Sequence, residues 1–296
     1  MAIKTAVSRR QFLKGTVTAT ALAYTNSVAR YAAQSAPTSR EKLFPFGYSD
    51  VKLTGGPLKA QFERIHTAYL GLDEDRLLKV YRLRAGLPAP GEDMGGWYDP
   101  AEAFGPGHSF GQYVSGLARF AKATSDTATQ QKVKRLVEGF AATIDPDGYS
   151  YASGRASTSF PAYILDKHLI GFLDAYQFAG VASALPTAQN IIKGAIRYLP
   201  PRPLERDEEP KHSPYDESYT LPENFFYAYE LTGDQDLLAL AKQFLFDRRY
   251  FEPLARGENV LPGLHAYSHV NALSSAARAL IECANSAPAK PSAGVK

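Results

Sequence analysis

Apolar residues along this chain recur at spacings of three and four, the period of an amphipathic helix. Leu58, Phe62, Ile65 and Tyr69 make one stripe, Leu77, Leu78 and Tyr81 a second, and Phe110, Tyr113, Val114, Leu117 and Phe120 a third. Val133, Leu136, Val137, Phe140 and Ile144 follow, then Ile164, Phe172, Leu173 and Tyr176, then Ile191, Ile192, Ala195 and Leu199. Beyond a Pro-rich stretch at residues 200–214 come Phe225, Ala228 and Tyr229, then Leu237, Leu238, Ala241, Phe244 and Leu245. A last helix is expected over residues 265–283. Strand-like alternation is scarce, so the pattern predicts an all-α protein of about nine or ten helices.

The turns between stripes repeat. Ala123-Thr-Ser-Asp126 closes one predicted helix and opens the next, and Leu231-Thr-Gly-Asp234 does the same later in the chain. Asp126 and Asp234 are expected N-caps, Gly233 suits a left-handed helix end, and Thr127 with Gln130 reads as a capping box. Helical hairpins joined by short turns predict an α/α-toroid or solenoid, and their spacing is too irregular for a tetratricopeptide array. The long Pro-rich stretch is read as a loop within one domain.

Composition changes the picture at the ends. Ser8-Arg9-Arg10-Gln11-Phe12-Leu13-Lys14, a mild apolar run over residues 16–24 and the small-x-small triplet Ser27-Val28-Ala29 make a twin-arginine export signal. The expected division is a signal peptide at 1–29, a linker at 30–50, the helical domain at 51–285 and a disordered tail at 286–296. The expected location is periplasmic or extracellular, with the twin-arginine translocase as a partner during export. The signal carries four basic residues and no acid, so its removal takes the formal net charge from +3 to −1. A near-neutral chain without a basic stripe argues against a nucleic-acid partner. The apolar run of the signal is too short to anchor the protein in a membrane. The single Cys283 allows no intrachain disulfide and is read as a core thiol.

Hydrolysis of a glycosidic bond generally takes two carboxyl groups. The best acid cluster is Asp216-Glu217 with Glu223, and Asp166 is the partner; in its apolar stripe a buried carboxylate would need Lys167 or a sugar hydroxyl beside it. Glu217 and Asp166 are the candidate catalytic pair. The competing reading makes Asp216 a helix cap and Glu223 a first-turn acid favoured by the macrodipole. Trp97, in a Gly-Gly-Trp-Tyr loop rather than on a stripe, is the candidate stacking platform for a sugar. His265 and His269 fall four apart, but no third metal ligand is evident, so no metal site is assigned.

Several ordered motifs resemble glycoside hydrolase family 127, the β-L-arabinofuranosidase-like group. They are Leu72-Asp-Glu-Asp-Arg-Leu-Leu78 with Tyr81-Arg-Leu-Arg-Ala-Gly-Leu-Pro88, Gly96-Trp97, Gly107-His-Ser-Phe-Gly-Gln-Tyr-Val-Ser115, and Tyr163-Ile-Leu-Asp-Lys167 with Gly171-Phe-Leu-Asp-Ala-Tyr176. Pro222-Glu223, Leu231-Thr-Gly-Asp234 and Leu261-Pro-Gly-Leu-His-Ala266 complete the set. The resemblance implies an (α/α)6-barrel, complete or cut short, acting by retaining hydrolysis on arabinose-containing oligo- or polysaccharides.

This chain departs from the family pattern at several points. His108 is kept, but Gln112 stands where a second His is usual. Asp166 replaces the His before Lys167, and Tyr267 replaces an Asn after His265. His108, Gln112, Glu223 and His265 join Trp97 as candidate sugar contacts. The resemblance also implies that the family's acid/base Glu and Cys-rich zinc centre lie downstream of the third motif. The chain stops shortly after that motif and holds one Cys, so no zinc or other cofactor is expected. Two further readings stand beside the hydrolase: a noncatalytic carbohydrate-binding relative or fragment, and an α/α-toroid polysaccharide lyase using a Tyr/His pair.

Overall fold

The computed structural model describes residues 46–99, 105–205, 207–208 and 216–286; side chains are described as far as residue 282. The export signal, the linker up to residue 45 and the tail from 287 lie outside this range, as does the side chain of Cys283. The described residues from Tyr48 onward form one compact unit. It contains α-helices and short 3-10 or π turns, with no strand among the described residues.

The helices are α1 (Gly56–Gly71), α2 (Glu74–Arg84), α3 (Ser109–Thr124), α4 (Thr127–Ala141), α5 (Pro161–Ala179), α6 (Ala184–Ala195), α7 (Leu221–Thr232), α8 (Gln235–Gln243), the single turn α9 (Glu252–Ala255) and α10 (Ala266–Ser286). The pairs α3–α4, α5–α6 and α7–α8 are hairpins, the architecture that the stripes and turns predict. The predicted stripes of α2 through α8 supply most of the core. The stripe of α1 behaves differently. Phe62 and Tyr69 pack edge-on or stacked against Phe120 and Tyr113 of α3, while Leu58 and Ile65 face solvent and no residue of α1 is buried.

The two repeated turns are alike down to their hydrogen bonds. Thr124 Oγ1 donates to Phe120 O and accepts from Asp126 N; Thr232 Oγ1 donates to Ala228 O and accepts from Asp234 N. Gly233 takes the left-handed conformation (φ 73°), and Ser125 takes it at the matching position (φ 57°). Asp126 and Asp234 then cap α4 and α8 through Thr129 N and Asp236 N. Asp126 rather than Thr127 is the cap, so the expected Thr127/Gln130 box does not form; Thr127 is already the first residue of α4. The Asp carboxylate one position earlier reaches the free amides of the first turn.

Helix α5 is central. Every residue from Ala162 to Ala175 except Ile170 is buried, including Asp166, Lys167, His168 and Asp174. A helix buried on all sides must satisfy its polar side chains inside the protein. Asp174 accepts from Ser115 Oγ (2.6 Å) and Arg119 Nε (2.7 Å) of α3. His168 Nε2 lies 2.9 Å from Tyr81 Oη, which donates to Gly107 O at 2.7 Å. Burial pushes the His168 ring down to about 3, so it sits neutral among Tyr81, Phe110, Phe140 and Phe172. At Gly107 the backbone has φ 74°, and a Cβ would meet Tyr81 Oη at 2.3 Å; only glycine fits.

Candidate functional site

The site grows out of the N-terminal end of α5. Pro161 starts the helix, and the amides of Ala162 and Tyr163 have no partner within it. Asp216 supplies one from a distant segment: its oxygens accept from Ala162 N (both at 3.0 Å) and from Tyr163 N (3.1 Å). The capping role considered for Asp216 is thus realised, on α5 rather than on the helix that follows it. By fixing Asp216 there, the fold sets Glu217 beside Tyr163.

Glu217 is a buried carboxyl with unusual backbone. Its φ is +51° and ψ 38°, a left-handed conformation that costs a non-glycine residue about 1–2 kcal/mol. Oε1 lies 2.6 Å from His265 Nδ1. Oε2 is buried without a hydrogen-bond partner among the described residues. Strained backbone and an unpartnered buried oxygen on one residue are features that gather at functional sites. His265, at the entrance to α10, has 55% of its side chain exposed, so the pair links a buried oxygen to the surface.

Lys167 forms the adjoining wall. Its Nζ is 2.7 Å from Asp166 Oδ2 and lies over two aromatic rings, 4.9 Å from the centroid of Tyr163 and 5.4 Å from that of Tyr267. Burial works against the Lys167 charge, but Asp166 and Tyr267 outweigh it and raise its affinity for the proton. The Tyr163 hydroxyl is pushed up to about 12, first by burial, with Lys167 pulling the other way and Tyr267 and Glu217 adding to the rise. The ring of His108 lies 5.4 Å from that of Tyr163. His108 Nδ1 is 2.7 Å from Gly105 O, and burial, with Lys167 close by, favours the neutral imidazole.

Of the residues singled out in the sequence, Glu217, His265, His108 and Asp166 therefore fall in one neighbourhood, linked through Tyr163, Lys167 and Tyr267. Asp166 takes a different part from the one expected. Its side chain is 3% exposed, Oδ2 faces Lys167, and Oδ1 accepts from Asn224 Nδ2 at 2.7 Å. Both oxygens are engaged, so Asp166 holds Lys167 instead of presenting a carboxyl to a ligand. Glu223 is also redirected: Oε2 accepts from Ser274 Oγ at 2.8 Å, joining α7 to α10. Gln112 is exposed one helical turn beyond His108. Trp97 is 69% exposed, and its neighbour Tyr98 accepts through its carbonyl from Gly107 N (3.0 Å), one residue from His108.

Sequence reasoning did not select Tyr163 or Asn224 as site residues, and named Lys167 only as a partner for a buried Asp166. The available signal was Asp166-Lys167-His168, three polar residues inside an otherwise apolar helix. A thiolate-zinc centre of the family type needs several Cys or His ligands around one ion. The chain has one Cys, and among the described residues no three His, Cys, Asp or Glu side chains are grouped to hold a metal.

The helical hairpins thus place a strained, buried carboxyl against a half-exposed imidazole, with aromatic rings alongside. Residues 50–290 match the β-L-arabinofuranosidase GH127 catalytic domain, and the chain belongs to that family. Among solved structures, a GH127 β-L-arabinofuranosidase from Geobacillus stearothermophilus T6 is similar at 15% identity with a TM-score of 0.46. The match covers 75% of this chain and 38% of that one, so this chain spans well under half of its length. A search of curated proteins finds no match. No helix among the described residues is long and apolar enough to cross a membrane.

Proposed function

We propose that this protein hydrolyses glycosidic bonds in β-L-arabinofuranosyl or related glycans, with Glu217 as the proton-transfer group. The observation that carries this reading is the unpartnered, buried Oε2 of Glu217, held by His265 through the other oxygen. A sugar hydroxyl or the glycosidic oxygen would give Oε2 the partner it lacks. His108, Tyr163 and Tyr267 offer aromatic surface and hydrogen-bonding groups around it, and exposed Trp97 is the proposed stacking platform. Family membership supports the substrate class, since the family is named for β-L-arabinofuranosidases.

The proposal includes export by the twin-arginine route to the periplasm or beyond, which the Arg9-Arg10 motif supports and which suits a glycan substrate. A carboxyl as the proposed reacting group disfavours the lyase reading, because lyase substrates carry a uronate of the same charge. The noncatalytic reading has one observation in its favour: both oxygens of Asp166, the expected second carboxyl, are engaged by Lys167 and Asn224.

Turnover of p-nitrophenyl β-L-arabinofuranoside by purified protein, compared with Glu217→Gln, decides between the two. Loss of a general acid–base group lowers the rate by about 100- to 10,000-fold. Sugar binding without turnover in either protein would replace the hydrolase reading with the noncatalytic one.

A further inference from the structure

We propose that His269 and Glu205 form a charged strut that positions the Glu217–His265 pair, with a doubly protonated His269 ring as the form that holds the site together. This deepens the site reading above and rests on it for the role of Glu217. His269 lies one turn into α10 from His265 and is 1% exposed. Its Nδ1 is 2.8 Å from the backbone carbonyl oxygen of His265, and its Nε2 is 2.9 Å from Glu205 Oε2. A carbonyl oxygen and a carboxylate oxygen both accept, so the geometry asks for an N–H at each ring nitrogen, which only the imidazolium supplies. With Glu205 ionised, a neutral ring would leave one of the two contacts without a proton.

The surroundings favour the charge. Glu205 faces the ring from the segment after α6, Tyr219 from the 3-10 turn at Ser218–Thr220, Tyr250 from the π turn at Asp247–Phe251, and Glu217 and His265 from the site. Tyr219 Oη is 3.5 Å from His269 Nδ1 and 2.7 Å from Ser268 Oγ, which in turn lies 3.3 Å from His265 Nδ1. Burial opposes protonation of His269, but Glu205, with the His265 carbonyl and the Glu217 charge, outweighs it and the ring is raised above its ordinary value.

The structural consequence follows from the place of the His265 carbonyl. His265 is the last residue before α10, and its ring carries the bond to Glu217. Tying its carbonyl to His269, and His269 to Glu205, fixes the backbone from which that ring projects. Both residues are buried and act on Glu217 only through His265, so His269 and Glu205 are positioning residues.

The test is a pH titration of the imidazole nitrogens of the full-length protein by NMR. The expected result is protonation of both His269 nitrogens at pH 7, with the His265 resonances shifting at the His269 midpoint. Glu205→Gln should lower that midpoint by about 1–3 pH units, and should move the alkaline limb of any glycosidase activity by a similar amount to lower pH. A His269 ring with one bare nitrogen at pH 7, or His265 resonances indifferent to the His269 titration, would overturn the strut. The wild-type titration decides even where Glu205→Gln does not fold. Intact coupling between the two rings in a protein without turnover would support the strut and count against the hydrolase reading alone.

Discussion

Gly111 of α3 and Gly171 of α5 bring two helix backbones into direct contact. A Cβ at Gly171 would lie 2.4 Å from Gly111 O, and one at Gly111 would lie 1.8 Å from Lys167 O. The crossing that sets Lys167 in place therefore depends on the absence of two methyl groups.

Gly111→Ala should accordingly push the helices apart and cost about 3 kcal/mol or more, since a well-packed core cannot absorb the added carbon. Gly55→Ala provides the contrast, with an extended backbone and nothing within 4 Å of the added atom. Urea unfolding of the two variants should show a large drop in midpoint for the first and almost none for the second.

Removing the Asp166 charge should strand Lys167. Its side chain is 5% exposed, and Asp166 is its ion-pair partner. Breaking one side of a buried pair costs about 3–5 kcal/mol, so Asp166→Asn should melt well below the parent. Asp166→Asn combined with Lys167→Met removes both charges and should recover part of the loss in calorimetry. A double variant no more stable than the single one would refute the pairing argument.

Stability should also fall as pH rises from mildly acidic to neutral, through Glu282 on α10. It is buried near Glu230 of α7, which pairs with Arg278. Burial, then the Glu230 charge, pushes its carboxyl from an ordinary 4.5 up to about 7. Between those values the folded chain holds a proton that the unfolded chain has released, so its contribution is fully present below 4.5 and is lost as pH rises toward 7. Glu282→Gln should flatten the dependence of the unfolding midpoint on pH in that window.

The export proposal has its own test. Arg9→Lys combined with Arg10→Lys should leave the precursor in the cytoplasm, as read by cell fractionation. Undiminished export would remove the twin-arginine assignment and leave the site arguments untouched.

The helices were legible in the sequence because buried faces repeat every three to four residues, and two hairpin turns because Thr124-Ser-Asp126 and Thr232-Gly-Asp234 share one pattern. The exposed side of α1 was not, since Leu58 and Ile65 share a period with Phe62 and Tyr69 whether or not anything covers them. Glu217 and His265 could be chosen from local motifs, but their 2.6 Å contact joins segments 48 residues apart in the chain. Asp166 misled for a related reason. A carboxyl inside an apolar stripe reads equally as a reactive group or as a counter-ion, and only the positions of Lys167 and Asn224 tell the two apart. Glu205 carries no local mark at all, because its partner His269 lies across a Pro-rich segment whose path no periodicity describes.

Because α5 supplies both the packing centre and the Tyr163–Lys167 wall, its sequence answers to two masters at once. A substitution that retunes the wall also disturbs the interior, and most such changes would be lost to misfolding before any new specificity could be selected. Variation in what relatives accept should therefore accumulate where the backbone is free of that double duty: in the turn that presents Trp97 and in the approach to α10 around Tyr267. The rigid helix narrows the routes by which the protein can diversify and directs them to its rim.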